Sequence, residues 1–214
     1  MKEKYSQCMR DRQFLISCGI AFVMLAVAFV ANFYVGLYAV ERASNPVTDI
    51  ILSNIPVFDV DGIFIYGPII LWLFVALILV RNPKQIPFTI KSMALFIFIR
   101  SVFVTLTHIG PFPGHLVFPA NSFITFFTSG SDLFFSGHTG LPFLLALIYW
   151  RDENLRWIFL GASVLFGIVS LLGHLHYSID VLSAFFITYT IFHLSERFFP
   201  KAEKLFSDNF FPNT

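Results

Sequence analysis

Charged residues are scarce in this sequence. Lysine, arginine, aspartate and glutamate make up 13% of its 214 residues, whereas about a quarter of a typical soluble domain is charged. Such a chain has too little polar surface to solvate a globule of its size, and it has no broad basic face. The composition therefore excludes an ordinary soluble domain, a disordered chain and a nucleic-acid-binding protein.

Hydrophobic residues account for 57% of the chain, and phenylalanine alone contributes 29 residues. A membrane-spanning helix needs about 20 mainly apolar residues, so this length holds roughly five to seven spans. The sequence shows no internal repeat and no low-complexity linker. We therefore expect residues 1–214 to form a single integral membrane domain.

Cysteine is also scarce, since Cys8 and Cys18 are the only two. Cys18 falls inside the first apolar run, so a structural disulfide is not expected. That run, about Phe14–Val40, carries no charge and is too long for the hydrophobic core of a signal peptide. It is predicted to remain in the protein as its first span.

Six apolar segments predict an all-α bundle of six transmembrane helices. Each segment is too long for a buried strand and lacks the alternation of a membrane barrel. The predicted spans are about Phe14–Val40, Ile63–Val80, Phe88–Thr107, Gly137–Trp150, Trp157–Leu172 and Tyr177–Leu194.

Lysine and arginine predict the orientation of the spans, because short cytoplasmic loops are enriched in both. Of the 14 basic residues, 12 fall on the side of the six-span bundle that holds both termini. They are Lys2, Lys4, Arg10, Arg12, Arg81, Lys84, Lys91, Arg151, Arg156, Arg197, Lys201 and Lys204. Arg42 falls on the other side, and Arg100 lies inside the third span. Both termini are therefore expected to be cytoplasmic.

Histidines collect on the opposite side. The segments 41–62, 108–136 and 173–176 face outward in this topology, and five of the six histidines lie in or beside the last two. These five are His108, His115, His138, His174 and His176. Any histidine chemistry is therefore expected at the outer face, meaning the periplasmic, extracellular or lumenal side.

Arg100 is the basic residue that lies within the outer part of a predicted span. A charge inside a bilayer is costly and usually serves a function. One interpretation is a side chain that snorkels or forms a structural ion pair. The other is a guanidinium that faces the bundle interior, where it can hold a phosphate through two parallel hydrogen bonds.

A second cluster reads Asp132-Leu-Phe-Phe-Ser-Gly-His-Thr139. Ser136 is a predicted N-cap of the fourth span, and Gly137 allows a close backbone approach. The positive end of that helix would then point at the outer side, where it favours an anion near His138. Taken alone, Ser-Gly-His is a weak pattern that favours an ordinary loop residue at His138.

The third cluster contains His176 and Asp180, which are four residues apart and share one helical face if the sixth span begins there. A carboxylate on one imidazole nitrogen fixes the tautomer and makes the other nitrogen a better base or nucleophile. His174 has a poorer spacing for this pairing, so His176 is favoured. The alternatives are a structural His–Asp pair or part of a metal site, since His138, His176 and Asp180 could supply three zinc ligands.

Together, the three clusters contain the groups that phosphoryl transfer without a metal requires. A guanidinium and two helix N-termini can hold the phosphate oxygens. One histidine can attack phosphorus, and the other can protonate the leaving oxygen.

The motifs resemble those of the type-2 phosphatidic acid phosphatase (PAP2) superfamily. Ser136-Gly137-His138 is similar to the second signature motif of that superfamily, and His176-x-x-x-Asp180 is similar to the third. The Lys-x6-Arg-Pro motif of the soluble and broad-specificity phosphatases is absent, as is their Ser-Arg pair before the last histidine. This departure favours the synthase branch of the superfamily over the phosphatase branch.

The longer strings look more specifically like the sphingomyelin synthase branch. The strings that carry this likeness are residues 132–139, residues 176–188, the arginine block 100–107 and the Pro-Phe-Pro-Gly turn at 111–114. They come in the order found in that branch. The resemblance covers about residues 90–195, which we take as the expected catalytic core.

The resemblance implies a ping-pong transfer. His176, oriented by Asp180, would attack the phosphodiester of a glycerophospholipid, while His138 protonates the departing diacylglycerol. The phosphohistidine would then pass the phospho-head group to ceramide or another lipid alcohol, such as diacylglycerol. The expected phosphate- or substrate-binding residues are Arg100, Asp132, Ser136 and Gly137. No cofactor and no metal are implied.

Two other functions are compatible with the same residues. If water replaces the lipid acceptor, the site gives a lipid phosphate phosphatase or a phospholipase C-type hydrolase. The other is a non-catalytic membrane protein, although such a relative would usually have lost one of His138, His176 and Asp180.

Several outer residues keep two interpretations. Asp132 could orient His138 or bind a cationic head group, and it could equally be a helix-cap or loop carboxylate. The stretch Phe123–Phe127 could line a lateral entry for acyl chains or pack against lipid. His108 and His115 are expected to be loop residues.

Overall fold

The computed structural model describes residues 8–114 and 133–208, and over these two ranges the chain is helical and contains no strand. The helices are α1 Arg12–Arg42, α2 Asp61–Arg81, α3 Ile86–Leu106, α4 Gly137–Ile148, α5 Glu153–Leu172, α6 Ser178–Phe198 and α7 Pro200–Ser207. Short 3₁₀ turns at Leu52–Asn54 and Pro83–Gln85 precede α2 and α3. The predicted all-α class is confirmed.

Five helical segments in the described ranges are long and apolar enough to cross a membrane. They are Arg12–Arg42, Asp61–Arg81, Pro83–Leu106, Glu153–Leu172 and Ser178–Phe198, which match the predicted spans one, two, three, five and six. These helices indicate a multi-pass membrane protein. The predicted fourth span differs, because α4 has only 12 residues and is about 18 Å long, whereas the bilayer core is about 30 Å thick.

The short helix α4 runs antiparallel to α3. At its beginning, the carbonyl oxygen of Phe135 accepts a hydrogen bond of 3.0 Å from Nε of Arg100, late in α3. At its end, the hydroxyl of Tyr149 lies 3.3 Å from Oε1 of Gln85, just before α3. Most of α4 is buried among α3, α5 and α6. The helix is therefore covered by protein along much of its length, so its apolar surface does not have to match the bilayer.

Hydrogen bonds between segments define two ends of the bundle. At one end, the amide of Ser44 after α1 donates to the carbonyl of His108 after α3, at 2.8 Å. At the same end, the amide of Phe58 before α2 donates to the carbonyl of Leu172 in α5, at 2.9 Å. We call this the site end, because α4 and α6 also begin there. The tail end is the opposite one, where α7 packs beside the beginning of α3.

The helix α3 lies at the centre of the bundle and contacts α1, α4, α6 and α7. Gly140 lets α4 approach two of its neighbours closely, since a Cβ at that position would lie 2.7 Å from the ring of Phe96 and 2.9 Å from Oγ1 of Thr188. In contrast, α1 and α2 leave large apolar side chains exposed, such as Val23 and Ile70. Exposed apolar surface of this kind is what a lipid-facing helix presents.

Candidate active site

His176 and Asp180 form a buried pair at the beginning of α6. Nδ1 of His176 lies 3.2 Å from Oδ2 of Asp180, and the two residues are 5% and 0% exposed. The contact expected from the four-residue spacing is therefore present. A carboxylate only accepts hydrogen bonds, so Nδ1 is the ring nitrogen that Asp180 engages, and Nε2 lies on the far side of the ring.

The local geometry of this pair differs from the expected shared helical face, because α6 begins at Ser178, after His176. Asp180 is the third residue of the helix, and its side chain folds back over the helix start, where Oδ2 also accepts a hydrogen bond of 3.1 Å from the amide of Tyr177. A carboxylate in this position satisfies a free helix N–H. The cap therefore fixes Asp180 in the place where it meets His176.

Tyr177 attaches the same turn to two other loops at the site end. Its buried hydroxyl donates to the carbonyl of Gly110 at 2.8 Å and accepts from the amide of Val47 at 3.2 Å. Burial raises the pKa of Tyr177, and the nearby carboxylates of Asp180 and Asp49 raise it further, against a lowering by the hydrogen bond from Val47. The hydroxyl therefore stays protonated as a donor, and the loops around 47 and 110 are held against the start of α6.

Asp49 caps α6 from a distant part of the chain. Its Oδ2 accepts hydrogen bonds from the amide of Ser178 at 2.7 Å and from the hydroxyl of Ser178 at 2.8 Å. Its Oδ1 accepts from the amides of Ile51 and Leu52, at 2.8 and 3.1 Å. Burial raises the pKa of Asp49, but the hydrogen bonds from Ser178, Leu52 and Ile51 together outweigh it, so the net pKa is lowered.

We expect Asp49→Ala to lower the melting temperature in detergent by about 5–10 °C. The variant loses four hydrogen bonds, worth about 2–3 kcal/mol in total, and in a chain of this size that free energy corresponds to a shift of this order. Since the pKa is lowered in the folded protein, this stabilisation is complete above about pH 4 and is lost as the pH falls through the folded pKa. Thermal melts of both proteins between pH 3 and 7 measure the difference. Asp59→Ala removes an exposed carboxylate of the same loop and is the matched control. A difference that stays constant down to pH 3 would contradict this role of the Asp49 charge.

The Ser-Gly-His segment forms the beginning of α4, as the sequence predicts. The hydroxyl oxygen of Ser136 accepts from the amide of Thr139 at 3.4 Å, which makes Ser136 the N-cap. The chain enters this cap through Phe134 and Phe135, whose φ angles of 75° and 84° are strained for bulky side chains. The amide of Ser136 also donates to the carbonyl of Asp180 at 3.1 Å. The two motifs, 40 residues apart in the chain, are thus joined directly.

Arg100 reaches the same place from α3. It is buried, at 7% exposed, with Nε bound to the carbonyl of Phe135 at 3.0 Å and Nη1 lying 3.3 Å from Oδ1 of Asn32 in α1. A Cβ added to Gly137 would lie 3.3 Å from Nε of Arg100, so a glycine there lets the guanidinium lie against the first turn of α4. The guanidinium therefore faces the bundle interior and does not snorkel to the membrane surface.

His138 lies half-buried in the first turn of α4 and stacks on the ring of Phe64 from α2. The ring centroids are 4.0 Å apart, and the planes differ by 24°. This contact fixes the plane of the imidazole at the helix terminus whose positive dipole end points toward the site end.

The remaining predicted residues divide into two groups. Asp132, His115 and the stretch Phe123–Phe127 lie outside the described residues. His108 is an exposed loop residue whose ring contacts Tyr38 edge-on, at 5.5 Å between centroids.

Within residues 8–114 and 133–208, no group of three or more His, Cys, Asp or Glu side chains could hold a metal ion.

Sequence reasoning missed the polar residues that hold the site from elsewhere in the chain. Asn32 lies 68 residues from Arg100, and Asp49 lies 129 residues from Ser178. A polar residue inside the longest apolar run was the available signal for Asn32. Asp49 stands in a polar loop, so nothing in its local sequence indicates that it is buried.

The fold and the site together define a class of protein, a multi-pass helical membrane protein in which a histidine–carboxylate pair, a guanidinium and a helix N-terminus meet at one end. Residues 129–197 match the family model described as PAP2 superfamily C-terminal. This segment contains the serine cap, His138, His176 and Asp180. No solved structure gives a significant match to the chain.

A curated relative gives a more specific likeness. Over 75 residues, the chain is 41% identical to a phosphatidylinositol:ceramide inositolphosphotransferase of Trypanosoma cruzi (strain CL Brener). The alignment covers 31% of this chain and 22% of the relative's length. The two comparisons confirm the resemblance to the sphingomyelin synthase-like members of the PAP2 superfamily that the motifs predicted.

Proposed function

We propose that this protein is a lipid phosphotransferase, which moves a phospho-head group from a glycerophospholipid to a lipid alcohol such as ceramide. The observation that carries the proposal is the buried His176–Asp180 pair joined to the start of α4 through Ser136. The PAP2 match over residues 129–197 supports it, and so does the name of the trypanosomal relative, whose own reaction is given as inositolphosphotransfer to ceramide.

In the first step, Nε2 of His176 attacks the phosphorus of the donor lipid. A P–N bond forms, and the P–O bond to the diacylglycerol breaks, with its electron pair moving to the departing oxygen. His138 gives a proton to that oxygen, so neutral diacylglycerol leaves. Asp180 holds the Nδ1–H of His176 and stabilises the positive charge that the ring gains as it becomes phosphorylated.

In the second step, the hydroxyl of the acceptor lipid gives its proton to His138 and its oxygen attacks the phosphohistidine. The new P–O bond forms as the P–N bond breaks, and the electron pair returns to Nε2 of His176. The acceptor leaves with the phospho-head group, and both histidines regain their starting protonation states. Each proton taken up in one step is released in the other, so the cycle needs no further reactant.

Arg100 and the first turn of α4 provide the positive environment for the phosphate. The guanidinium is held by Phe135 and Asn32 and lies against Gly137, at the positive end of the α4 dipole. Both are fixed before substrate binds, so they stabilise the charge on the phosphate oxygens without reorganising during the reaction.

We further propose six membrane crossings, with α4 as a short one inside the bundle, and with both termini in the cytoplasm. The helix α4 runs antiparallel to α3, from beside Arg100 to beside Gln85, which supports this count. The concentration of lysine and arginine on one side supports the orientation. The site end then lies at the outer face. Residues 1–214 act as one membrane domain with the catalytic core at about 90–195.

Purified protein in mixed micelles tests the proposal directly. Phospholipids labelled in the phosphate are supplied with ceramide, with diacylglycerol and without an added acceptor. The proposal predicts a labelled lipid product that forms only when the acceptor is present. Release of water-soluble phosphate or phospho-head group at a rate independent of acceptor would instead establish a lipid phosphatase or phospholipase C-type hydrolase.

A further inference from the structure

His174 is a buried histidine that the proposed reaction does not use. It is 5% exposed, and neither ring nitrogen has a hydrogen-bond partner among residues 8–114 and 133–208. Its backbone is left-handed, with φ of 53°. The ring meets Phe112 edge-on, at 5.2 Å between centroids, and Phe112 in turn contacts Tyr177 at 5.9 Å. His174 therefore lies in the packed layer that covers the start of α6.

These features are unfavourable for folding. Buried polar atoms are nearly always paired, because an unpaired donor or acceptor has lost its water without a replacement. A left-handed conformation adds a further cost for a residue with a Cβ. An apolar side chain, or a glycine, would suit this position better if its role were only structural. The two unpaired nitrogens therefore indicate a partner that arrives with the substrate.

The position of His174 in the chain brings its backbone close to that of His176. It precedes His176 by two residues, so their Cα atoms are at most about 7 Å apart. Oδ2 of Asp180 is already bound to His176 and to the amide of Tyr177, whereas its buried Oδ1 has no hydrogen-bond partner among the described residues. His174 is thus an additional polar group next to the place where the phosphate would bind.

The chemistry of the imidazole limits the partner. With one proton on the ring, one nitrogen carries an N–H and the other a lone pair. A phosphate oxygen only accepts, so it can satisfy the N–H alone. A hydroxyl group donates as well as accepts and can satisfy the lone pair. The two nitrogens point in different directions, so two neighbouring groups are needed, of which one must donate a hydrogen bond, as a lipid hydroxyl does.

We propose that His174 is a binding residue for hydroxyl groups beside the transferred phosphate. The hydroxyls belong either to the head group of the donor lipid or to the polar end of the acceptor lipid. This inference rests on the proposed lipid phosphotransfer, and it names hydroxyl-bearing lipids as the preferred substrates.

Two variants separate binding from folding. His174→Phe keeps a ring against Phe112 and removes both polar atoms, whereas His174→Asn keeps a residue that accepts a left-handed backbone but is too short to reach the same partner. His108→Phe, at the exposed histidine of a neighbouring loop, is the matched control. We expect both His174 variants to melt within a few degrees of the wild type, because the His174 ring makes no hydrogen bond to residues 8–114 and 133–208.

Kinetics then identify the source of the hydroxyls. If the hydroxyls belong to the donor head group, both variants lower kcat/KM at least tenfold for phosphatidylinositol and phosphatidylglycerol, and leave it unchanged for phosphatidylethanolamine and phosphatidylcholine. If they belong to the acceptor lipid, the KM for ceramide rises at least tenfold with every donor, and kcat at saturating ceramide stays the same. An equal fall in kcat with all lipids, together with a lower melting temperature, would overturn the proposal, as would wild-type kinetics in both variants.

A measurement without turnover separates this proposal from the proposed function. Thermal melts are recorded with inorganic phosphate, phosphoethanolamine and myo-inositol 1-phosphate. If the hydroxyls belong to the head group, myo-inositol 1-phosphate raises the melting temperature of the wild type more than the other two compounds do. His174→Phe is then expected to lose this additional rise. If no lipid is turned over and this protection is still found, the proposed function fails and the binding role stands. If there is neither selective protection nor a selective change in KM, the binding role is wrong even when transfer is observed.

Discussion

Replacing His176 with alanine is expected to reduce lipid transfer by at least about a thousandfold, because the variant has no nitrogen on which the phospho-enzyme can form. Loss of one member of a catalytic triad costs about 10⁴–10⁶ in kcat in another enzyme. The measurement is the initial rate of labelled-lipid formation at saturating donor and acceptor. The wild-type and variant proteins are compared at equal concentration after size-exclusion chromatography, so that only folded protein is assayed.

The chain contains a matched control for this variant. His193 also pairs with a carboxylate on α6, at 2.8 Å between Nδ1 and Oε2 of Glu196. That pair is about half exposed and lies toward the tail end of the helix. His193→Ala is therefore expected to retain wild-type activity. Equal rates for wild type and His176→Ala would show that His176 is not the nucleophile.

Arg100→Lys is expected to reduce transfer by about a hundredfold or more, and Arg100→Ala by about a thousandfold. Removing one fixed hydrogen-bond donor from a charge-stabilising site costs about 10²–10³ in other enzymes. Lysine keeps the charge, but it lacks the planar group that binds Phe135 and Asn32 at the same time. Steady-state rates with increasing donor lipid measure both kcat and KM.

Arg42→Lys is the matched control, because Arg42 lies exposed at the end of α1, where its guanidinium lies over the ring of Tyr38. It is expected to leave the rate unchanged. Asn32→Ala is expected to give an intermediate loss, since it removes one partner that orients Arg100. Full activity in Arg100→Lys would mean that a point charge is enough and that the geometry of the guanidinium has no role.

The sequence predicts the elements of this fold that depend on local pattern. Apolar runs long enough to span a bilayer identify the helices, and Ser136 before Gly137 locates the beginning of α4. The spacing of His176 and Asp180 predicts their contact, although the contact is made through a helix cap. In each case, the information lies within a few residues, where backbone geometry alone restricts the outcome.

The parts that could not be predicted depend on packing between distant segments. Asn32 reaches Arg100 because α1 packs on α3, and Asp49 reaches Ser178 because the loop after α1 folds over α6. The uniform hydrophobicity of these helices gives no signal for which faces meet, since both lipid and protein accept the same apolar side chains. The unpaired ring of His174 likewise becomes visible only when its surroundings are known.

The central claim is a phosphohistidine at position 176, and covalent trapping tests it most directly. Protein is incubated with phosphate-labelled donor lipid in the absence of acceptor, quenched in alkali and digested. The label is then mapped by mass spectrometry. We predict an acid-labile, base-stable phospho-head group on His176 that disappears when ceramide is added, and its absence in His176→Ala. Wild-type protein that transfers the label to ceramide without any covalent adduct would contradict the account, because donor and acceptor would then react directly with each other.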